Sequence, residues 1–294
     1  MGDSIRVFAP AKINLFLHIT GKRVDGYHLL DSLVAFADIG DVVDIGFCQG
    51  LSFSVTGPFS DSFSKGELDS SGQSHNIVVR AARALAQAAG KEPNVRIHLE
   101  KNLPLASGIG GGSTDAAAVI RGMLELWKVE AIPEYLPSLL ARLGADMPVC
   151  WRAKAAQVKG VGEILEKVPR LPDIPVVLVN PLVPCITADV FREFDGDYEK
   201  AVTLPERFTS VRHVSAFLAE TRNSLLEASL RVVPGISDCL HVLGEQEGCL
   251  VNRVSGSGAT CFGLFENARE ARAAAANISE KRPSWWVKTG TIIS

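Results

Sequence analysis

The sequence predicts an α+β fold with mixed sheets. Three features of the chain predict it. The first third reads mostly as β-strands, with Gly, Pro and Asp between them. A glycine-rich stretch then stands between an apolar strand and a helix. The remainder alternates short strands with helices of amphipathic spacing. The 294 residues amount to about two average domains. At 47% hydrophobic and 21% charged, the composition is globular and can fill a sizeable core.

In chain order, residues 5–9 and 13–19 are β-rich and separated by Pro10. Strands at 29–36, 42–47 and 51–55 follow. Residues 59–74 are rich in Ser, Asp and Gly and read as an exposed loop. A helix begins near Asn76, and its spacing puts Ile77, Ala81, Ala84, Leu85 and Ala88 on one face, with Gly90 at the C-terminal cap. Residues 95–99 form a strand and 113–127 a helix. A third helix follows Pro133 and ends before Gly144. The apolar runs 147–151 and 155–159 read as strands. Three prolines within 167–175 mark the boundary between an N-terminal domain, 1–166, and a C-terminal domain, 167–294. Beyond it come a strand at 176–179 and helices at 187–194, 223–232 and 236–243. Strands at 249–254 and 260–265 flank a second Gly/Ser loop, and an Ala-rich helix at 268–278 and a strand at 285–289 close the chain.

Charge and cysteine usage exclude several classes. The net charge of -3 provides no global attraction for nucleic acid or an anionic membrane. The six cysteines are scattered without a CxxC pair and read as free thiols of a reducing compartment. The six histidines contain no HxxxH pair and sit in no ligand-rich cluster, so a zinc site is not expected. The N-terminus lacks the basic and long apolar segments of a signal peptide, and no apolar run approaches ~18 residues. A cytoplasmic protein is expected, with small-molecule partners, no nucleic acid, no membrane and at most a weak homodimer.

The glycine loop carries the strongest chemical signal. VRIHL, EKNLPLASGIGGG and STDAAAVIRGMLEL read as strand, loop and helix. Gly108, Gly110, Gly111 and Gly112 allow positive φ and close approach of a ligand to the main chain. The first N–H groups of the helix have no internal partners and, with the helix dipole, favour an anion. Ser113 or Thr114 is expected to cap the helix or donate to a phosphate oxygen. A nucleotide P-loop needs Lys after its last Gly, and the dinucleotide fingerprint needs Gly five positions after Gly108; Ser113 stands at both places.

PLASGIGGGSTDAAA resembles the P-x-x-x-G-[LI]-G-[GS]-[GS]-[SA]-[SA] loop of the GHMP kinases, the galacto-, homoserine, mevalonate and phosphomevalonate kinases. PAKINLFLHITGKRVDGYHLLDSL resembles the N-terminal strand pair of members that phosphorylate a cytidine diphosphate-linked polyol. GADMPVCW and VSGSGATCFGLF resemble two further family segments, in the expected order. Val24, Ile109, Thr114, Met147, Val149 and Cys150 depart from the usual residues, and none removes a chemically required group.

The resemblance implies a two-domain GHMP kinase fold. Its N-terminal domain is like domain 2 of ribosomal protein S5, its C-terminal domain is ferredoxin-like, and its active site lies in the cleft between them. It implies ATP as co-substrate, held by Pro104, Leu105, Ala106, Ser107, Gly108, Ile109, Gly110, Gly111, Gly112, Ser113, Thr114 and Asp115. Mg²⁺ is expected to be held mainly by the nucleotide phosphates. Lys12 and Asp146 become the catalytic pair, Asp146 accepting or orienting the hydroxyl proton and Lys12 steadying the γ-phosphate. Asn14, Tyr27, His28, Thr187, Phe191, Gly256, Ser257 and Gly258 become substrate-binding residues. Tyr27 offers a flat face to a base and His28 a donor and an acceptor, with Phe191 as the second aromatic of the stack. Another family kinase, or a non-catalytic nucleotide-binding protein on the same fold, is the alternative. Lys22, Arg23 and Lys101 read either as local positive charge or as solvated surface residues.

Overall fold

The computed structural model describes residues 4–69 and 74–293. The strands are β1 (Ser4–Lys22), β2 (His28–Phe47), β3 (Leu51–Thr56), β4 (Val95–Glu100), β5 (Ala156–Gly160), β6 (Ile164–Lys167), β7 (Ile174–Asn180), β8 (Cys249–Val254), β9 (Cys261–Phe265) and β10 (Trp286–Ile293). The helices are α1 (Lys65–Leu68), α2 (Ile77–Ala88), α3 (Gly111–Leu126), α4 (Leu136–Leu143), α5 (Met147–Arg152), α6 (Thr187–Glu193), α7 (Val211–Ala219), α8 (Leu226–Val232), α9 (Gly235–Gly244) and α10 (Ala268–Lys281). The chain forms two compact units that interleave along the sequence. The first comprises Met1–Ala11, Gly40–Leu105 and Gly110–Ala153; the second comprises Lys12–Ile39, Ala106–Ile109 and Lys154–Ser294.

In the first unit, β4 pairs in parallel with β3 and antiparallel with the C-terminal part of β2. Val95, Ile97 and Leu99 are fully buried on alternate positions, the period-two pattern of a half-buried strand. Helix α3 supplies much of this unit's core, with Ala116 to Ile120 and Met123 fully buried. Asn76 caps α2, its side chain accepting from the Val78 N–H at 2.8 Å. The buried face of α2 is Val78, Val79, Ala81, Ala82, Leu85 and Ala86. Ile77, Ala84 and Ala88, expected on that face, are only half-buried. Arg80, Arg83 and Gln87 share one side of the helix, and Ile77, Ala84 and Ala88 flank that polar side, while the packed face lies opposite it.

In the second unit, the N-terminal part of β2 pairs antiparallel with β5 and β10. The antiparallel ladder continues through β7 and β9 to β8, and β6 lies on β5. β7 is buried along its whole length. Its inner residues join Ile236, Leu243, Phe265 and Ile278 in one apolar core.

Several sequence expectations are corrected. Pro10 does not divide β1, which runs unbroken through it; among the described residues the one strand partner of β1 is β2, and a proline is tolerated on such a strand. β2 likewise continues through Asp38 to Asp41, because its two ends pair with different strands. The expected loop 59–74 holds a short 3₁₀ turn at Ser60–Ser62 and α1, which opens with a Ser64–Glu67 capping box; residues 70–73 lie outside the described residues. The apolar run 147–151 is the helix α5, not a strand, and Pro148 fits its first turn. The helix expected at 223–232 begins at Leu226, and α7 and β6 were not anticipated.

His18 in the second unit leads to a pH prediction. It is buried, with Nδ1 3.1 Å from the Lys200 carbonyl and Nε2 accepting from the Arg222 N–H at 3.2 Å. This pattern fits a neutral ring protonated at Nδ1. Burial lowers its pKa from the ordinary 6.5, Arg222 and Arg253 add to the lowering, and the Lys200 carbonyl and Asp31 oppose it. The folded value lies below the unfolded one, so the unfolded chain binds the proton first. The stabilisation is present above 6.5 and lost as pH falls below it. Melting temperature should therefore fall on acidification, and His18→Gln should flatten that slope. An unchanged slope would assign the acid sensitivity to other groups.

Candidate active site

The glycine loop divides between the units. Its first part, Ala106–Ile109, belongs to the second unit and lies against the loop between β8 and β9. Gly108 has φ +74°, and a Cβ there would stand 2.4 Å from Ser255 O, 2.6 Å from Gly258 O and 2.7 Å from Gly258 N. Only glycine permits both that conformation and that approach. The Thr260 N–H donates to Ser107 O at 3.0 Å, and Ser255 Oγ donates to Gly108 O at 3.1 Å. The Cys185 N–H donates to Ala106 O at 3.0 Å, and the Lys12 N–H to Ile109 O at 2.9 Å. The Gly/Ser loop of the β8–β9 hairpin thus holds the main chain of 106–109. Ser257 is itself held: its hydroxyl lies 2.9 Å from Thr187 Oγ1, and its carbonyl accepts from Cys185 Sγ and Ser229 Oγ.

The second part of the loop belongs to the first unit. Gly110, with φ +65°, is the N-cap of α3, which begins at Gly111. The helix therefore starts two residues earlier than expected and takes in Gly111 and Gly112. Neither Ser113 nor Thr114 caps it, and Gly110 has no side chain to do so. Its first N–H groups are the kind of donors that bind phosphate. Thr114 is buried, and its hydroxyl donates back to the Gly110 and Gly111 carbonyls at 3.2 and 3.0 Å. Ser113 is half-buried, so of the two hydroxyls its own is the better placed for a ligand. Pro104 is buried and Leu105 half-buried. Asp115 turns inward to Lys101, which is 2% exposed; of the two readings left open for that lysine, the solvated surface residue does not hold.

Lys12 and Asn14 lie on the buried part of β1, 5% and 4% exposed. Asn14 Nδ2 donates to Ser32 Oγ at 2.8 Å, and its N–H donates to Ser255 Oγ at 3.1 Å. Its Oδ1 is buried without a hydrogen-bond partner and lies 3.2 Å from where a Cβ at Gly256 would be. A buried acceptor left over in this way is costly unless a ligand donor uses it.

Tyr27 is 65% exposed, while His28 is half-buried and stacks on Phe191 with centroids 5.4 Å apart and planes at 25°. Phe194 meets the same imidazole edge-on at 5.5 Å. The sequence offers Tyr27 and Phe191 as two aromatics about a base; in the structure Phe191 stacks on the ring of His28. Burial, followed by the charge of Lys22, lowers the His28 pKa and favours the neutral ring, which offers one donor and one acceptor. Arg23 pairs with Asp25 at 2.7 Å on the surface.

Asp146, in the first unit, is half-buried and is the N-cap residue of α5. Its side chain does not cap that helix. The sequence placed it between a helix and a strand; it stands between α4 and α5.

Comparison with known proteins gives the family of the chain. The family model described as GHMP kinases N terminal domain matches residues 76–153, and GHMP kinases C terminal matches 210–283. The chain belongs to the GHMP kinase family. It has the two-domain α+β fold of these kinases and is a phosphotransferase with an alcohol group as acceptor. It is 43% identical to the 4-diphosphocytidyl-2-C-methyl-D-erythritol kinase of Paramagnetospirillum magneticum, over 99% of each chain. It is 46% identical to the enzyme of the same name from Paracoccus denitrificans, over 96% of this chain and 94% of that one. A crystal structure of 4-(cytidine 5'-diphospho)-2C-methyl-D-erythritol kinase superposes with a TM-score of 0.79 at 31% identity, covering 99% of this chain and 100% of that one.

Proposed function

We propose that this chain transfers the γ-phosphoryl group of ATP to the 2-hydroxyl of 4-diphosphocytidyl-2-C-methyl-D-erythritol, a step of the non-mevalonate route to isoprenoid precursors. The observation that carries the proposal is identity of 43% and 46%, over nearly the whole chain, to relatives named for that acceptor. The half-buried His28, stacked on Phe191, supports a nucleotide-bearing acceptor.

In this reading residues 104–115 bind ATP, largely through main-chain N–H groups at the start of α3. Asp146 takes or orients the proton of the acceptor hydroxyl. The Lys12 ammonium favours the developing alkoxide and the γ-phosphate oxygens. Asn14, Tyr27, His28, Thr187, Phe191, Gly256, Ser257 and Gly258 hold the acceptor, with Asn14 Oδ1 accepting a hydrogen bond from one of its hydroxyl groups. Among the described residues no group of three or more His, Cys, Asp or Glu is arranged to hold a metal ion. Mg²⁺ enters the proposal with the nucleotide, whose phosphates would supply most of its ligands and Ser113 a hydroxyl. When bound, it neutralises charge on the β- and γ-phosphates.

The proposed sequence domains, 1–166 and 167–294, contain the N- and C-terminal family matches respectively. The six free cysteines support a cytoplasmic location, with two small-molecule partners and at most a weak homodimer. No helix among the described residues is long and apolar enough to cross a membrane.

The test is transfer from labelled ATP to a panel of acceptors. The cytidine diphosphate-linked polyol should give the highest kcat/KM by at least ~10²-fold, as expected where a site hydrogen-bonds a group that the other acceptors lack. Equal turnover of mevalonate or homoserine would sink the substrate assignment and leave the kinase.

A further inference from the structure

We propose that Lys101, held between Asp41 and Asp115, is a positioning residue that sets the phosphate-binding turn at the start of α3. The inference rests on the kinase reading and adds Lys101 and Asp41, which that reading does not use.

Lys101 follows β4 directly and is almost fully buried. Its Nζ donates to Asp41 Oδ2 at 2.5 Å and to Asp115 Oδ2 at 2.7 Å. Asp41 Oδ1 accepts the N–H groups of Asn102 and Leu103 at 2.6 and 2.8 Å. Asp41 thus fixes the chain as it leaves β4 for the glycine loop, while Asp115 belongs to α3. The ammonium also presses on the turn itself, standing 3.0 Å from where a Cβ at Gly111 would lie. Its main chain is anchored as well, the N–H donating to Thr56 O at 2.8 Å and the carbonyl accepting from Phe59 at 3.3 Å. One ammonium therefore joins β2, the exit of β4 and the first turns of α3. The direction of the first α3 amides is set where those three meet.

The charge count fits this role. Two buried carboxylates face one ammonium, and an uncompensated buried charge is costly. Burial pushes the Asp115 carboxyl well above the usual carboxylate range, against the pull of Lys101. Burial alone would lower the Lys101 ammonium, but the charges of Asp115 and Asp41 more than reverse it. Asp115 Oδ1 is buried without a hydrogen-bond partner, a polar atom with capacity left at the foot of the turn.

The test uses Lys101→Met and the double variant Lys101→Met with Asp41→Asn, in which Asn keeps the oxygen that Asn102 and Leu103 use. Binding of a non-hydrolysable ATP analogue is measured by calorimetry, and KM for ATP and for the acceptor by steady-state assay. Wild type should bind the analogue; if it does not, the kinase reading itself fails and this inference falls with it. In both variants the analogue Kd and KM for ATP should rise ~10-fold, as small displacements at a site cost. KM for the acceptor should stay within about twofold. The double variant should melt above the single one, because one unpaired buried carboxylate is gone. A folded variant with wild-type analogue affinity would overturn the proposal. So would a parallel rise in both KM values, or failure of both variants to fold, since either marks a structural brace only.

Discussion

Asp146→Asn should lower kcat by at least ~10²-fold and leave ATP affinity nearly unchanged. The substitution keeps the size of the side chain, removes its negative charge and its capacity to take a proton, and turns one acceptor oxygen into an N–H donor. Asp146 does not cap α5, so no helix hydrogen bond is lost with the charge. Loss of a negative charge beside a helix N-terminus costs about 0.3–1 kcal/mol of stability, so the variant should fold and melt a few degrees lower at most. Single-turnover transfer, read beside binding of the ATP analogue, separates the two effects. If the variant turns over normally, another group handles the hydroxyl proton. If both binding and turnover fall, Asp146 belongs to ATP positioning and not to the chemical step.

Gly108→Ala should be the most damaging single-methyl change in the glycine loop. The left-handed conformation at φ +74° costs a non-glycine residue on the order of 1 kcal/mol. The added methyl would also fall within 2.4–2.7 Å of three main-chain atoms of Ser255 and Gly258. Those atoms cannot easily yield, because the Ser255 N–H is bonded to Thr260 O and the Gly258 N–H to Ser255 O, each at 2.9 Å. Overpacking of this kind adds about 1–3 kcal/mol. The sum, about 2–4 kcal/mol, should lower the melting temperature by ~5 °C or more and kcat/KM by at least ~10-fold. Gly112→Ala is the stability control. Gly112 is exposed, lies within α3 and has its nearest neighbour, Ile77 Cγ2, at 3.4 Å. That variant should melt no lower than wild type, since alanine is the better helix former. Equal melting temperatures for the two variants would remove the steric argument for Gly108.

The glycine loop was legible because its signals are local. Four glycines, a preceding strand and a following helix stand within about thirty residues, the reach of a strand–loop–helix motif. The substitution of Ser113 for Lys or Gly excluded the two commoner motifs by inspection. The helix start near Asn76, and the strand–helix alternation of the C-terminal half, rested on equally local rules. Lys101 was not legible, since nothing near it in sequence tells a solvated cation from one buried between Asp41 and Asp115. Those partners lie 60 and 14 residues away. The apolar run 147–151 was too short for its period to separate helix from strand.

Reading along the chain was thus sufficient for the α+β class and for a glycine loop between a strand and a helix, because periodicity, capping and glycine freedom are decided within a few neighbours. Packing decided the rest. It ran β1 through Pro10, turned Asp115 inward, stacked Phe191 on His28 and set the Gly/Ser loop against Gly108, 147 residues away. Each of these depends on which distant groups exclude water from a side chain or complete its hydrogen bonds, and that is fixed only when the whole chain has folded.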